Sequence, residues 1–157
     1  MAKQDAVADN LSLAITRMFD APREAVFAAW TDPAQMSAWM GPGEIRGEVE
    51  TLEPRVGGAY RIVMRGMPAG NMAVRGTYRE IDPPARLVFT WAWEEDAETH
   101  RAGHETLVTV TLRAVGKRTE LTLLHERFDS ESSRDSHNGG WTGVFEKLAK
   151  HLSQGRA

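Results

Sequence analysis

The sequence predicts an α+β domain in which a curved antiparallel β-sheet wraps around one long C-terminal helix, with two short helices after the first strand. Three observations lead to this prediction. Residues 44–128 alternate apolar and polar side chains between short turns, which is typical of sequential antiparallel strands. Residues 129–152 carry apolar side chains at three- and four-residue steps, which is typical of a helix with one buried face. Two short helical patterns precede the strands, between residues 20 and 43.

The composition of the 157 residues is that of one domain with a single core. The formal net charge of −3 gives no electrostatic reason to expect binding to nucleic acid or to an anionic membrane. The chain has no cysteine, so disulfides, zinc fingers and thiol catalysis are excluded. No apolar run suits a signal peptide or a membrane span, so we expect a cytoplasmic protein. We expect a flexible N-terminus at 1–10, the domain at 11–152 and a short tail at 153–157.

The first strand and the two short helices are marked by alternation and by cap residues. Alternating apolar residues from Leu11 to Phe19 predict a half-buried strand. Pro22 suits the beginning of a helix, because its fixed backbone angle is already helical. Asp32 is expected to cap a second short helix, which ends at the glycine–proline sequence 41–43.

The strands that follow are separated by turn residues at 57–58, 66–70, 82–84 and 116–117. The first of them, Ile45–Leu52, is polar and resembles an edge strand. Residues 94–103 form a charged loop, which we expect to be a solvated hairpin tip. The inward-facing residues of the other strands are Tyr60, Ile62 and Met64; Val74, Gly76 and Tyr78; Leu87, Phe89, Trp91 and Trp93; Val108, Val110 and Leu112; and Leu121, Leu123 and His125.

The C-terminal helix is unusual in its N-terminal half. Its apolar face covers Trp141–Leu152, and Lys147 on the opposite side is expected to face water. Asp129 or Ser130 is expected to cap the helix. In the turn before this apolar face, residues 137–140 are His137, Asn138 and two glycines, so the face has no large apolar side chain there. Each glycine in a helix interior costs about 1 kcal/mol of stability relative to alanine. Two interpretations stay open: a gap lies beneath this part of the helix, or the helix is kinked or begins later.

Ten residues form the candidate ligand-binding set. Small-molecule sites are usually apolar pockets with a few polar groups, although any single aromatic side chain could simply fill the core. His125 is the strongest single candidate, as a ligand contact or as a general acid or base. The alternative is a buried histidine bonded within the protein, for example to Asn138. The ten candidates are Trp39, Tyr60, Met64, Tyr78, Phe89, Trp91, His125, His137, Trp141 and Phe145.

No catalytic or metal-binding motif accompanies these residues. No two histidines share a short metal-ligand spacing, and the sequence has no Walker motif, dinucleotide fingerprint or nucleophile elbow. We therefore predict no catalytic residue, no metal and no cofactor. Arg65 adjoins a hairpin loop and could hold a ligand carboxylate, although a surface arginine is more common.

Four stretches of the sequence carry a family resemblance. They are DAPREAVFAAWTDPAQMSAWMGP, LEPRVGGAYRIVMRG, GTYREIDPPARLVFTWAW, and LTLLHERF followed by HNGGWTGVFEKLAKHL. They are similar to the family related to the C-terminal domain of the activator of heat-shock protein 90 ATPase. That family belongs to the helix-grip superfamily, together with START domains, polyketide cyclases and birch-pollen-type allergens. The resemblance runs from about Leu11 to Leu152, and it implies a helix-grip fold with a cavity between the sheet and the long helix.

The resemblance leaves three functions open, because this fold hosts many activities. The first is the binding of a small hydrophobic molecule in the cavity. The second is an enzyme of the cyclase, dehydratase or hydrolase type, with His125 as proton carrier. The third is a chaperone-interaction module of the stress response. The eukaryotic activator carries a separate N-terminal domain that has no counterpart in these 157 residues, so we rank a chaperone partner below a small molecule. The oligomeric state stays open.

Overall fold

The computed structural model describes residues 11–68, 70–94 and 103–154. The elements in chain order are β1 (Leu13–Phe19), α1 (Arg23–Thr31), α2 (Pro33–Trp39), β2 (Arg46–Leu52), β3 (Ala59–Arg65), β4 (Met72–Asp82), β5 (Arg86–Trp93), β6 (Thr106–Val115), β7 (Arg118–Glu126) and α3 (Glu131–Gln154). The strands form one seven-stranded sheet in the order β1–β7–β6–β5–β4–β3–β2, and all neighbours are antiparallel. The sheet is therefore a meander from β2 to β7, and β1 joins it beside β7.

This architecture confirms the predicted fold class. The curved antiparallel sheet, the two short helices after β1 and the long C-terminal helix all lie where the sequence patterns indicated. The largest shifts are two residues: β1 begins at Leu13 rather than Leu11, and α3 spans Glu131–Gln154 rather than 129–152. The expected flexible residues 1–10 and most of the charged loop, residues 95–102, lie outside the described residues.

Of the two short helices, α2 packs against β2, whereas α1 contacts β6, β7 and the C-terminal helix. Asp32 caps α2, because its Oδ1 accepts a hydrogen bond from the backbone N–H of Ala34 at 3.1 Å. Trp39 Nε1 donates to the carbonyl of Ala29 at 3.1 Å, which ties α2 to α1. Gly41 ends this region with φ +96°, and a Cβ there would lie 2.6 Å from a backbone oxygen, so the turn requires glycine.

The C-terminal half of α3 packs against the sheet. Ser130 provides the cap that the sequence indicated, since its Oγ accepts from the backbone N–H of Ser133 at 3.1 Å. Phe145 is 1% exposed and meets Phe19 of β1 edge to face, with ring centroids 5.9 Å apart. Among the described helices, none combines the length and the apolar composition needed to cross a bilayer. The buried residues of this face are Trp141, Val144, Phe145, Leu148 and Leu152.

Lys147 corrects one expectation about α3. The sequence placed it in water, but its Nζ donates to the backbone carbonyl of Ile45 at 2.9 Å. The long aliphatic side chain lets the ammonium reach that carbonyl while the stem lies along the protein surface. Partial burial lowers the pKa of Lys147. The helix is therefore fastened to the segment between α2 and β2.

Candidate ligand cleft beneath the C-terminal helix

A cleft of about 770 Å³ opens beneath the N-terminal half of α3. Gly139 and Gly140 line it, and a Cβ built on either glycine would meet no atom within 4 Å. The helix passes through both glycines without interruption, from Glu131 to Gln154. The helix therefore does not begin later than residue 131, and the open space at both positions favours the interpretation of a gap beneath this turn.

One wall of the cleft contains four methionines. Met64 and Met72 are paired directly across β3 and β4, and Met67 lies in the hairpin loop between these strands. Met40 continues the row. It packs directly against Gly47 of β2, since a Cβ built on that glycine would lie 2.8 Å from the Cβ of Met40. Gly47 is in turn paired with Met64 on β3. The row therefore runs from the end of α2 across the edge of the sheet.

A second wall contains three tryptophans, which we call the indole wall: Trp91 and Trp93 on β5 and Trp141 on α3. The ring centroid of Trp91 lies 5.1 Å from that of Trp141 and 6.0 Å from that of Trp93. Trp93 Nε1 donates to His137 Nε2, and Trp141 Nε1 donates to His125 Nδ1, each at 3.0 Å. Trp91 Nε1 is buried and has no acceptor among the described residues.

His125 supports the indole wall from behind and does not line the cleft. It is 0% exposed. Its Nε2 lies 2.7 Å from Thr106 Oγ1, and that hydroxyl donates to the backbone carbonyl of Trp91 at 2.8 Å. Because Nδ1 accepts from Trp141, a neutral ring must carry its proton on Nε2 and donate it to Thr106. The result is a hydrogen-bonded chain from Trp141 through His125 and Thr106 to the carbonyl of Trp91.

The electrostatics of this chain keep His125 uncharged. Burial, and to a smaller extent the neighbouring His137, lowers the pKa of His125 to about 2. Both ring nitrogens are engaged with protein groups that suit the neutral form. The partner suggested from the sequence, Asn138, is exposed, and the observed partners are Trp141 and Thr106. His125 is thus a satisfied core histidine.

His137 lies in the cleft lining, half-buried on the first turns of α3. Its Nδ1 is 2.8 Å from the carbonyl of Ser133, one turn earlier, and therefore donates to it. Its Nε2 accepts from Trp93, so this ring is also in a defined neutral tautomer. Burial lowers the pKa of His137, and the hydrogen bond to Ser133 opposes that effect. His137 therefore orients Trp93 and is itself part of the cleft lining.

Tyr60, Tyr78 and Phe89 form a closed aromatic core away from the cleft. Their ring centroids are 5.6–5.9 Å apart. Gly76, opposite Tyr60, makes this possible, because a Cβ there would lie 2.7 Å from the tyrosine ring. The void among these side chains is about 10 Å³, room for one water at most. Burial raises the pKa of both tyrosines, so their phenols stay neutral.

The structure therefore divides the ten candidate residues into two groups. Six lie outside the cleft lining: Trp39 is bonded to α1, Phe145 packs on β1, His125 lies behind the indole wall, and the remaining three form the aromatic core. The four that line the cleft are Met64, Trp91, His137 and Trp141.

Sequence reasoning missed several residues of the cleft. Trp93 was placed on the inner face of its strand but was left out of the candidate set, and extending the alternating pattern of β4 by one step would have found Met72. No periodic signal marks the loop and helix-start residues. The lining residues that were missed include Met40, Pro42, Ile45, Met67, Met72, Trp93, His104, Thr106, Ser133 and Ser136.

Arg65 and Glu94, two charged residues singled out in the sequence, lie outside the cleft lining. Arg65 Nε donates to Glu48 at 2.9 Å in an exposed ion pair, so it is a surface arginine and does not line the cleft. Glu94, expected in a solvated tip, accepts two hydrogen bonds from Arg61 at 2.7 and 2.8 Å, and this pairing lowers its pKa. Among the described lining residues Asp129 is the one carboxylate, and none is lysine or arginine. Within the described ranges no three His, Asp or Glu side chains group as a metal site requires.

Comparisons with known proteins agree with this architecture. The family model described as Activator of Hsp90 ATPase homolog 1-like protein matches residues 20–153. A structure from Chromobacterium violaceum is 24% identical, with a TM-score of 0.81 over 90% of this chain and 96% of that one. An AHSA1 protein from Silicibacter pomeroyi is 28% identical (TM-score 0.79; 91% and 98% covered). A solution structure from Arthrobacter aurescens is 30% identical (TM-score 0.79; 94% and 88% covered). A comparison with curated proteins finds no match.

Proposed function

The chain belongs to the activator of Hsp90 ATPase homolog 1-like family, and from that premise we propose that it binds a small, uncharged hydrophobic molecule in the cleft beneath α3. The observation that carries this proposal is the cleft of about 770 Å³, placed where the buried stripe of α3 is reduced to glycines. Its volume is within the range of small-molecule sites, and its walls are methionine and tryptophan. The binding residues we assign are Met64, Trp91, His137 and Trp141, together with Met40, Met67, Met72 and Trp93.

The charge of the lining supports a neutral ligand. Asp129 is the one carboxylate among the described lining residues, and no lysine or arginine there would compensate the charge of a bound anion. Burial lowers the pKa of His137 in the lining and of His125 behind it, which favours the neutral form of both rings. A charged ligand would lose hydration without gaining a partner of opposite sign, unless it were a cation beside Asp129. Each Å² of apolar ligand surface that the cleft buries contributes roughly 25 cal/mol of favourable free energy to binding.

The two alternative functions have less support. An enzyme with His125 as proton carrier would need that imidazole to reach the cleft, yet it is fully buried and both nitrogens are bonded. A chaperone partner would favour an extended apolar surface. In the part of the chain that the structure describes, Val56 is the exposed large apolar side chain, at 66%. A cytoplasmic location and a role in the stress response stay predictions.

The test uses the neutral fluorescent probe 1-aminoanthracene, whose emission rises when water is excluded from it. We expect saturable binding to the purified protein. Gly140→Leu places a side chain in open space of the cleft and should weaken probe binding about tenfold or more, because the probe would have to displace it. Asn138→Leu adds the same side chain at an exposed position outside the lining and should leave binding unchanged.

The comparison of the two leucine variants decides the result. Circular dichroism and thermal unfolding establish that both variants are folded. Equal probe affinity in wild type and Gly140→Leu would place the binding elsewhere and remove the proposal. Native mass spectrometry of the freshly purified wild-type protein adds a second readout, since a bound small molecule should be displaced by the probe.

A further inference from the structure

The sulfur chemistry of this chain is confined to its seven methionines, because the sequence has no cysteine. A hydroperoxide oxidises a thioether to a sulfoxide, which turns a flexible apolar side chain into a polar one. The reaction requires that the oxidant reach the sulfur. The methionines that solvent reaches are therefore the sites at which a peroxide acts first.

The row of four methionines in the cleft wall has two buried and two accessible members. Met40 and Met64 are buried, at 2% and 4% exposed. Met67 and Met72 are half-buried. The difference is sharpest between Met64 and Met72, which lie directly opposite each other on β3 and β4. Solvent therefore reaches the sulfur at one end of the row and not at the other.

The hairpin between β3 and β4 explains this accessibility. Gly66 and Gly70 have φ of +93° and +101°, and the backbone N–H of Gly70 donates to the carbonyl of Met67 at 3.0 Å, so the loop is tight. Both glycines are exposed, and so is Asn71, the residue before Met72. Met67 and Met72 therefore line the cleft at its border with solvent.

We propose that Met67 and Met72 are a modification site at which oxidation by a hydroperoxide lowers the affinity of the cleft for an apolar ligand. This inference rests on the proposed binding function and adds a means of regulating it. In the reaction the S–O bond forms as the O–O bond of the peroxide breaks. Sulfur is oxidised by two electrons, and the peroxide is reduced to water or to an alcohol.

The sulfoxide changes what this wall offers to a ligand. A thioether sulfur is a weak hydrogen-bond acceptor, whereas a sulfoxide oxygen is strongly polar and holds water. A bound apolar molecule would cover that oxygen and displace its water without donating a hydrogen bond in return. The neighbouring side chains of Met40 and Met64 have no donor either. Oxidation at the accessible end of the row therefore disfavours binding, while the buried methionines of the core are protected.

Met18 provides a matched control within the same chain. It is half-buried, like Met67 and Met72. It lies on β1, paired with Glu120, and does not line the cleft. Oxidation of Met18 adds the same oxygen atom at a place that the ligand does not contact.

The experiment treats the wild-type protein with hydrogen peroxide and titrates 1-aminoanthracene before and after treatment. Peptide mass spectrometry locates the added oxygen. We expect Met67 and Met72 to be oxidised before Met40 and Met64, and the affinity for the probe to fall about tenfold. Methionine sulfoxide reductases with dithiothreitol should restore the affinity, because they return the sulfoxide to the thioether.

Two variants identify the methionines responsible. The double variant Met67→Leu/Met72→Leu replaces both thioethers by apolar side chains of similar volume that peroxide does not oxidise. Whatever its initial affinity, we expect that affinity to be the same before and after treatment. Met18→Leu should keep the tenfold loss of the wild-type protein. Circular dichroism before and after treatment establishes that each protein is folded.

The outcomes separate the modification from the binding function. A wild-type protein that is oxidised at Met67 and Met72 and still binds the probe with its original affinity would overturn the inference and leave the binding function in place. A double variant as sensitive to peroxide as the wild-type protein would also overturn it, and so would oxidation of Met40 and Met64 first. If the untreated wild-type protein binds no probe, the binding function itself fails and the inference with it.

Discussion

The two halves of α3 lie over the same sheet and produce opposite results. From Trp141 onward the helix places large apolar side chains against β1 and the strands beside it, and Leu148 there is 0% exposed. In the preceding turns, 131–140, small and polar side chains leave a cleft of about 770 Å³. Backbone and direction are continuous across the boundary. The contrast shows that the size of the side chains on each turn of α3 determines whether the space between that turn and the sheet is filled or open.

The largest expected effect comes from removing bulk on the closed side. Phe145→Ala should reduce the free energy of unfolding by about 3–5 kcal/mol, because a buried aromatic ring is replaced by a cavity. The matched change on the open side, Ser136→Ala, should stay within about 0.5 kcal/mol, because the residue is exposed and borders existing space. Urea unfolding monitored by tryptophan fluorescence measures both. Similar losses for the two variants would contradict the division of the helix.

A smaller effect is expected from pH, through the histidines at the boundary. Both His125 and His137 have a pKa lowered by burial, so the unfolded chain binds protons that the folded chain does not. The free energy of unfolding therefore has its full value above about pH 6.5, the pKa of histidine in the unfolded chain. It falls as the pH is lowered below that value. For His125 the loss is about 1.4 kcal/mol per pH unit, and the half-buried His137 adds less.

Urea midpoints between pH 7.5 and pH 5 measure this slope. The window lies above the range in which the lowered pKa of Glu94 would contribute, so the carboxylate does not obscure the histidines. His125→Gln removes the larger titrating group and should flatten the dependence, whatever its effect on absolute stability. A wild-type stability that is constant from pH 7.5 to pH 5 would mean that His125 is not held neutral.

The smallest expected effect comes from adding a methyl group to α3 on each side of the boundary between its open and closed halves. Gly140→Ala should raise the free energy of unfolding by about 0.5–1 kcal/mol, since alanine is the better helix former and its Cβ would meet no atom within 4 Å. Gly143→Ala, one turn later, should destabilise, because its Cβ would lie 2.8 Å from the Cβ of Pro42. Thermal unfolding of the two variants gives the signs. A destabilising Gly140→Ala would indicate that the space beneath this turn is smaller than described.

On the helix side of the cleft the sequence indicated where a gap could lie but left its existence open, and most of the sheet side could not be predicted. Helical periodicity shows directly where the stripe of α3 changes from Trp141 to glycine. Strand alternation shows which residues share a face, but not what covers each part of that face. Tyr60 and Phe89 share the inner face with Met64, yet Trp30 and Met36 from the short helices fill the space above them. The position of those helices over the sheet is a long-range property that no local pattern contains.

The same limit explains the histidines. The alternation of β7 correctly placed His125 inside the core. Its partner Trp141 lies on α3, 16 residues later in the sequence. Its partner Thr106 lies on the neighbouring strand β6, 19 residues earlier. The sequence therefore predicted that His125 is buried and offered a histidine bonded within the protein as one interpretation, but it did not identify the two partners. The prediction of the fold class succeeded because it used turn residues and hydrophobic periodicity, which are local features of the sequence.

The methionine row has a consequence for the range of molecules that the cleft accepts. Each methionine has three rotatable side-chain bonds, and fixing one in place costs up to about 1.5–2 kcal/mol of conformational entropy. Met40 and Met64 are already buried, so this cost falls on the half-buried Met67 and Met72, and a ligand that immobilised both would lose part of its binding free energy. We therefore expect the best ligands to leave this side mobile, and affinity to change little with ligand shape there. Discrimination between similar molecules would then depend on the rigid tryptophan side.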